Sequence, residues 1–144
     1  MKTFSLDEAQ SLLPVLESLL KRAIEGKRFA EEKETKLQEL RQRIFLSGGM
    51  HVNVVSVTRQ RAEIDKLVQQ AKDAVAEIDS IGVQVKDLDT GLLDFPCIID
   101  SEIVLLCWKM GETRIDYWHT VDAGFRGRQP LDERFGRSKP DRPN

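Results

Sequence analysis

The chain has 144 residues, 40% apolar and 32% charged, which suits one ordinary domain with a buried core under a highly charged surface. Its formal net charge of -2 lacks the basic field of a nucleic-acid binder, and no apolar run is long enough to span a membrane. Asp7 and Glu8 stand where a secretion signal needs apolar residues, and two cysteines make no disulfide framework, so the cytoplasm is the expected compartment.

Ser5 and Glu8 form a capping-box pattern, with Phe4 placed as a hydrophobic staple, so a helix should start here. Ala9, Leu16, Ala23, Ala30, Leu37 and Ile44 then recur at heptad spacing, Leu12, Leu19 and Leu40 follow their partners by three, and Leu6, Leu13 and Leu20 widen the stripe at its start. This predicts a first helix over residues 4–46. Pro14 lies inside it, where a kink, or an end and restart, is expected. A helix over residues 5–46 would be a rod of roughly 60 Å, longer than a compact domain of this mass.

Ser47, Gly48 and Gly49 stop the pattern. The β-branched run from Val52 to Val57 is ambiguous, but Ile64, Leu67, Val68, Ala71, Ala74, Val75, Ile78 and Ile81 mark a second helix, placed at residues 53–81. A short connection favours an antiparallel hairpin. After Gly82 the period changes from helical to alternating, and Val83–Asp87, Leu92–Ile99, Ile103–Lys109 and Thr113–His119 read as a β-meander over 83–119. Residues 120–131 form an arginine- and glycine-rich loop, and residues 132–144 a basic tail that need not be ordered. The fold class is therefore α+β: a long two-helix hairpin, an antiparallel sheet of three to four strands and a C-terminal loop, together a single domain over residues 1–131.

If Asp100-Ser101 and Met110-Gly111 are both two-residue turns, Asp94 faces Cys107 and Leu106 faces Ile115. One face then holds Phe95, Cys97, Ile99, Val104, Leu106, Trp108, Ile115, Tyr117 and His119 and packs on the helices. The other, mixed face holds Asp94, Pro96, Ile98, Ile103, Leu105, Cys107, Arg114, Asp116 and Trp118. Cys97 and Cys107 fall on opposite faces. An odd-length connection would invert one strand and reverse its assignment.

Several blocks resemble a bacterial family of unknown function, numbered 2203. They are Val85–Pro96, Leu106–Glu112, Trp118-His119 and Gly124–Leu131, with the opening Phe4–Pro14. The resemblance covers residues 4–131. Asp100-Ser101 departs from the Asp-Gly type of turn expected there. No activity comes with the family, so the resemblance implies the domain and leaves the function open.

Three groups of residues could carry chemistry. Asp87, Asp89, Asp94, Glu112 and His119 offer oxygen and imidazole ligands for a metal, or the acids simply cap turns. In Trp118-His119 the histidine could act as a base, a ligand or a pH switch, or be a hydrogen-bonded structural histidine; no nucleophile motif surrounds it, and Cys107 in an apolar strand reads as an inert core thiol. Arg126 and Arg128, between Gly124 and Pro130, could grip an anion or lock the loop onto the sheet by pairing with Asp94, Glu112 or Asp116. The sheet site to examine is therefore Asp94, Glu112, Trp118, His119, Arg126 and Arg128, with Asp87 as a further metal candidate and no cofactor called for.

The heptad stripe supports a different role. The first helix outruns the second by about 15 residues of pattern, and a homodimeric coiled-coil seam would bury the excess. The leading expectation is a non-enzymatic, oligomerising or partner-binding module acting through the hairpin, without membrane or nucleic-acid partners. The alternative is a small-ligand, anion or metal-binding protein, hydrolase-like at most, that uses the sheet and the Gly124–Leu131 loop.

Overall fold

The computed structural model describes residues 1–48 and 54–136; His51, Arg137, Lys139 and Arg142 lie outside them. Helix α1 runs from Leu6 to Leu46 and α2 from Val54 to Ile81. The capping box forms at the start of α1. The Ser5 N–H donates to Glu8 Oε1 at 2.9 Å, and the Glu8 N–H donates to Ser5 Oγ at 3.1 Å. Pro14 does not end the helix, so the expected restart is absent: α1 continues through it as one element. Proline removes one backbone donor there, and the helix persists because its buried stripe holds turns on both sides.

The described chain forms two compact units, Met1–Leu20 with Ala76 onward, and Lys21–Val75. In the helical unit, Ala30 and Leu37 of α1 pack with Ile64 of α2, and Leu40, Val57, Leu67 and Val68 flank them. The antiparallel pair is drawn close at Gly26, where a Cβ would stand 3.0 Å from the Leu67 carbonyl oxygen and 3.4 Å from Ala71 Cβ. Arg61 donates to Glu34 at 2.8 Å and Lys33 pairs with Glu63 at 3.2 Å across the same seam.

The other unit carries an antiparallel sheet in the order β1-β2-β3-β4-β5: Gln84–Asp87, Leu92–Ile99, Glu102–Lys109, Tyr117–Thr120 and Gln129–Pro130. The sheet thus has five strands rather than three to four, because residues 129–130 of the expected loop pair with Tyr117 and Trp118. The first hairpin follows the expected register, with Asp94 facing Cys107 and Ile99 facing Glu102. Asp100 and Ser101 both take left-handed conformations, φ 52° and 65°, so this two-residue turn is of the primed type without a glycine.

The second hairpin departs from the expected register. Leu106 faces Trp118, not Ile115, and Leu105 faces His119. Residues 110–116 form the connection in place of a two-residue turn, and residues 113–116 are not strand. Ile115 is instead fully buried, its N–H donating to Gln10 Oε1 of α1 at 2.9 Å. Glu112 shapes the turn by accepting from the Lys109 N–H at 2.8 Å and, through its carbonyl, from Trp108 Nε1 at 3.0 Å. An odd connection inverts the strand that follows. Trp118 therefore joins Phe95, Cys97, Val104, Leu106 and Trp108, whereas Tyr117 and His119 move to the face of Asp94, Leu105 and Cys107.

The first face is the core face, with Phe95, Leu106 and Trp108 buried and the Phe4 ring edge-on to Phe95 at 5.8 Å. Cys97 and Cys107 are free and buried, on opposite faces as expected. Order continues beyond Leu131, where the tail was expected to begin. Asp132 caps a short 3-10 helix, Glu133–Phe135, and the buried Phe135 ring lies 5.6 Å from Trp118.

Candidate functional site

The second face of the sheet is the unusual one, because its centre is polar and buried. Asp94 and His119 are 3% and 2% exposed, the only buried polar or charged residues among those described. Each is placed by strand alternation. Asp94 sits on β2 opposite Cys107 of β3, and His119 sits on β4 opposite Leu105, so the three side chains meet across adjacent strands.

His119 Nε2 lies 3.2 Å from both carboxylate oxygens of Asp94. Its Nδ1 lies 2.7 Å from the Thr120 carbonyl oxygen. A carbonyl can only accept, so Nδ1 carries a hydrogen and Nε2 faces the carboxylate. Burial pushes the Asp94 carboxyl above its ordinary range, opposed by His119 and Lys86. Burial, followed by the Asp94 charge, pushes the Cys107 thiol up to about 11, although Arg128 acts in the other direction. Such a thiol is no free nucleophile.

A cavity of about 180 Å³ opens over this group, lined by Asp94, Cys107 and His119 below and by Lys86, Val121 and Phe125 around it. Lys86 falls where the β1–β2 register slips, between Val85 and Asp87, and such a bulge re-aims the side chain it carries. Phe125 begins a 3-10 helix, Phe125–Gly127, introduced by Gly124 at φ 68°. Glycine accommodates this left-handed backbone at little cost.

Arg128 lies beside the cluster and outside the cavity lining. It reaches both Glu112 carboxylate oxygens, at 3.3 Å and 2.8 Å, and lies over the Tyr117 and Phe125 rings at 4.0 Å and 4.4 Å. Of the two roles open to it, locking the loop onto the sheet matches these contacts. Arg126 is exposed and outside the cluster. Trp118 is on the opposite face with Phe135. Asp87 is exposed at the end of β1, accepting from the Thr90 hydroxyl at 2.7 Å, and Glu112 is committed to Arg128. Of the expected site residues the structure therefore gathers Asp94 and His119, sets Arg128 and Glu112 beside them, and separates Asp87, Trp118 and Arg126.

Cys107, Lys86 and Phe125 were missed as site residues. The first hairpin register did carry the signal for Cys107, since it set this thiol opposite Asp94. No helix among the described residues is long and apolar enough to cross a membrane. Neither a curated protein nor a solved structure matches the chain. A family described as an uncharacterized conserved protein, DUF2203, matches residues 2–131, and the chain belongs to that family.

Proposed function

We propose that the protein binds a small ligand on the second face of its sheet, over the Asp94–His119 pair. The observation that carries this reading is a buried acid–imidazole pair opening into a cavity instead of being packed over. Burying such groups is costly, and placing them beneath an opening gives a bound molecule two directional partners and a cationic rim at Lys86. The reading is one of binding rather than of catalysis, and its place is the cytoplasm, where two free thiols stay reduced. Histidine ring resonances followed by NMR during titration with small carboxylates, phosphates and amines test it. His119 should move with at least one class, and Asp94→Asn should weaken that binding by tenfold or more. A ring that stays still throughout argues against the pocket.

A second reading concerns the helices. We propose that the hairpin is a protein-binding surface through which the chain forms a homodimer. Phe45 and Leu46 at the end of α1 and Val54 and Val55 at the start of α2 are 80%, 75%, 65% and 65% exposed. Large apolar side chains grouped in sequence around one connection favour burial against a partner. Light scattering at tens of micromolar should return a dimer, and Phe45→Glu should shift it to monomer. A monomer in the unaltered protein would remove this reading.

A further inference from the structure

Given that the sheet face is the binding surface, we propose that Asp94, Cys107 and His119 form a site for a zinc-class transition-metal ion with one coordination position open to the cavity. The donor atoms come from three adjacent strands and lie within 4.8 Å of one another, all three residues being buried. A protonated imidazole beside a carboxylate normally closes to about 2.7–2.9 Å. Here Nε2 stands at 3.2 Å from both oxygens. Metal–nitrogen and metal–oxygen bonds of about 2.0–2.1 Å in a tetrahedron separate neighbouring ligand atoms by about 3.3 Å. The acid–imidazole separation, which is within hydrogen-bond range, is also one that two ligands of a single ion adopt.

The surroundings of His119 agree. Metal-bound imidazoles characteristically donate their other N–H to a carbonyl or carboxylate, and Nδ1 is held 2.7 Å from the Thr120 carbonyl. That bond leaves Nε2 as the coordinating atom. Charge agrees as well. In filling the site, the ion displaces the thiol proton of Cys107 and the proton shared between Nε2 and the Asp94 carboxylate, and both go to solvent. A dication with one thiolate, one carboxylate and one neutral imidazole has no net charge, which removes much of the cost of burial. The Arg128 guanidinium, held over the Tyr117 and Phe125 rings, places positive charge near Cys107 and would stabilise the thiolate.

The donor set chooses among metals. A thiolate with imidazole suits zinc and its neighbours and disfavours magnesium and calcium, which prefer oxygen. Three protein ligands leave a fourth position, and the cavity beneath Phe125 and Val121 has room there for water or a small ligand.

The full-length protein, stripped with a chelator, is titrated separately with Zn²⁺, Co²⁺, Mg²⁺ and Ca²⁺. One equivalent of Co²⁺ should give visible bands of tetrahedral intensity with a near-ultraviolet thiolate charge-transfer band. Zn²⁺ should raise the melting temperature, and Mg²⁺ and Ca²⁺ should not. Cys107→Ser should lose the thiolate band and bind zinc at least tenfold more weakly. Because a buried substitution can unfold the protein, the His119 ring signals of the unaltered chain provide a second readout and should shift with zinc. No cobalt bands and no zinc shift in the unaltered protein would overturn the metal site, as would equal zinc affinity in a folded Cys107→Ser variant. If zinc fails while small anions or amines still move His119, the metal assignment falls alone; if nothing moves it, the binding face falls too.

Discussion

At the scale of single residues, the Asp94–His119 pair should dominate mutational behaviour. His119→Ala leaves a carboxylate buried without its partner and should cost about 3 kcal/mol of stability, read by denaturant unfolding. Asp94→Asn preserves shape and removes the charge, so it should cost clearly less. The acid also predicts a pH effect. Its folded value lies above the ordinary 3.8, so the protonated form favours the fold. That contribution is fully present below 3.8 and is lost as pH rises through the raised value. The stability of wild type relative to Asp94→Asn, which cannot titrate, should therefore fall over that interval. A flat difference across it would mean that Asp94 is not held in this way. Two of the three cluster residues were placed on the right face by the sequence. Asp94 and Cys107 follow from the Asp100-Ser101 turn, whereas His119 was assigned to the other face because nothing local reveals that residues 110–116 form an odd connection held by Gln10.

Among the elements, hairpins and helices were readable to different depths. The capping box, the buried stripe and the return of α2 follow from local signals, and both helix ends fall within two residues of their expected places. The β4 register and the two-residue β5 are settled by long-range contacts, to Gln10 and across the sheet, that periodicity does not record. Two substitutions probe the elements. Ser101 holds φ 65°, which an L-residue adopts at a cost, so Ser101→Gly should raise stability by about 1 kcal/mol in thermal unfolding. Gly26 is the reverse case. Glycine normally weakens a helix interior, but here it admits the Leu67 carbonyl, so Gly26→Leu should destabilise by about 2 kcal/mol through overpacking. If Gly26→Leu proved neutral, the close helix approach would be in doubt.

For the whole molecule, the division into two compact units carries its own prediction. A chain in which a short turn joins Leu20 directly to Ala76 should keep a cooperative unfolding transition and its near-ultraviolet tryptophan signal, since Trp108 and Trp118 both belong to the sheet unit. Loss of that signal would show that the sheet needs residues 21–75 to fold. The two borders of the sheet have a further consequence. One ends in Gln129–Pro130, too short and too poor in donors to recruit another strand. The opposite border is β1, four residues long and broken by a bulge, and just past it the Pro96 carbonyl is already taken by the Phe4 N–H at 2.7 Å. Among the described residues neither border offers a runway for templated growth, which disfavours filament formation by strand addition. Contacts between copies are thereby steered towards side-chain surfaces, where they can saturate at a finite number of chains.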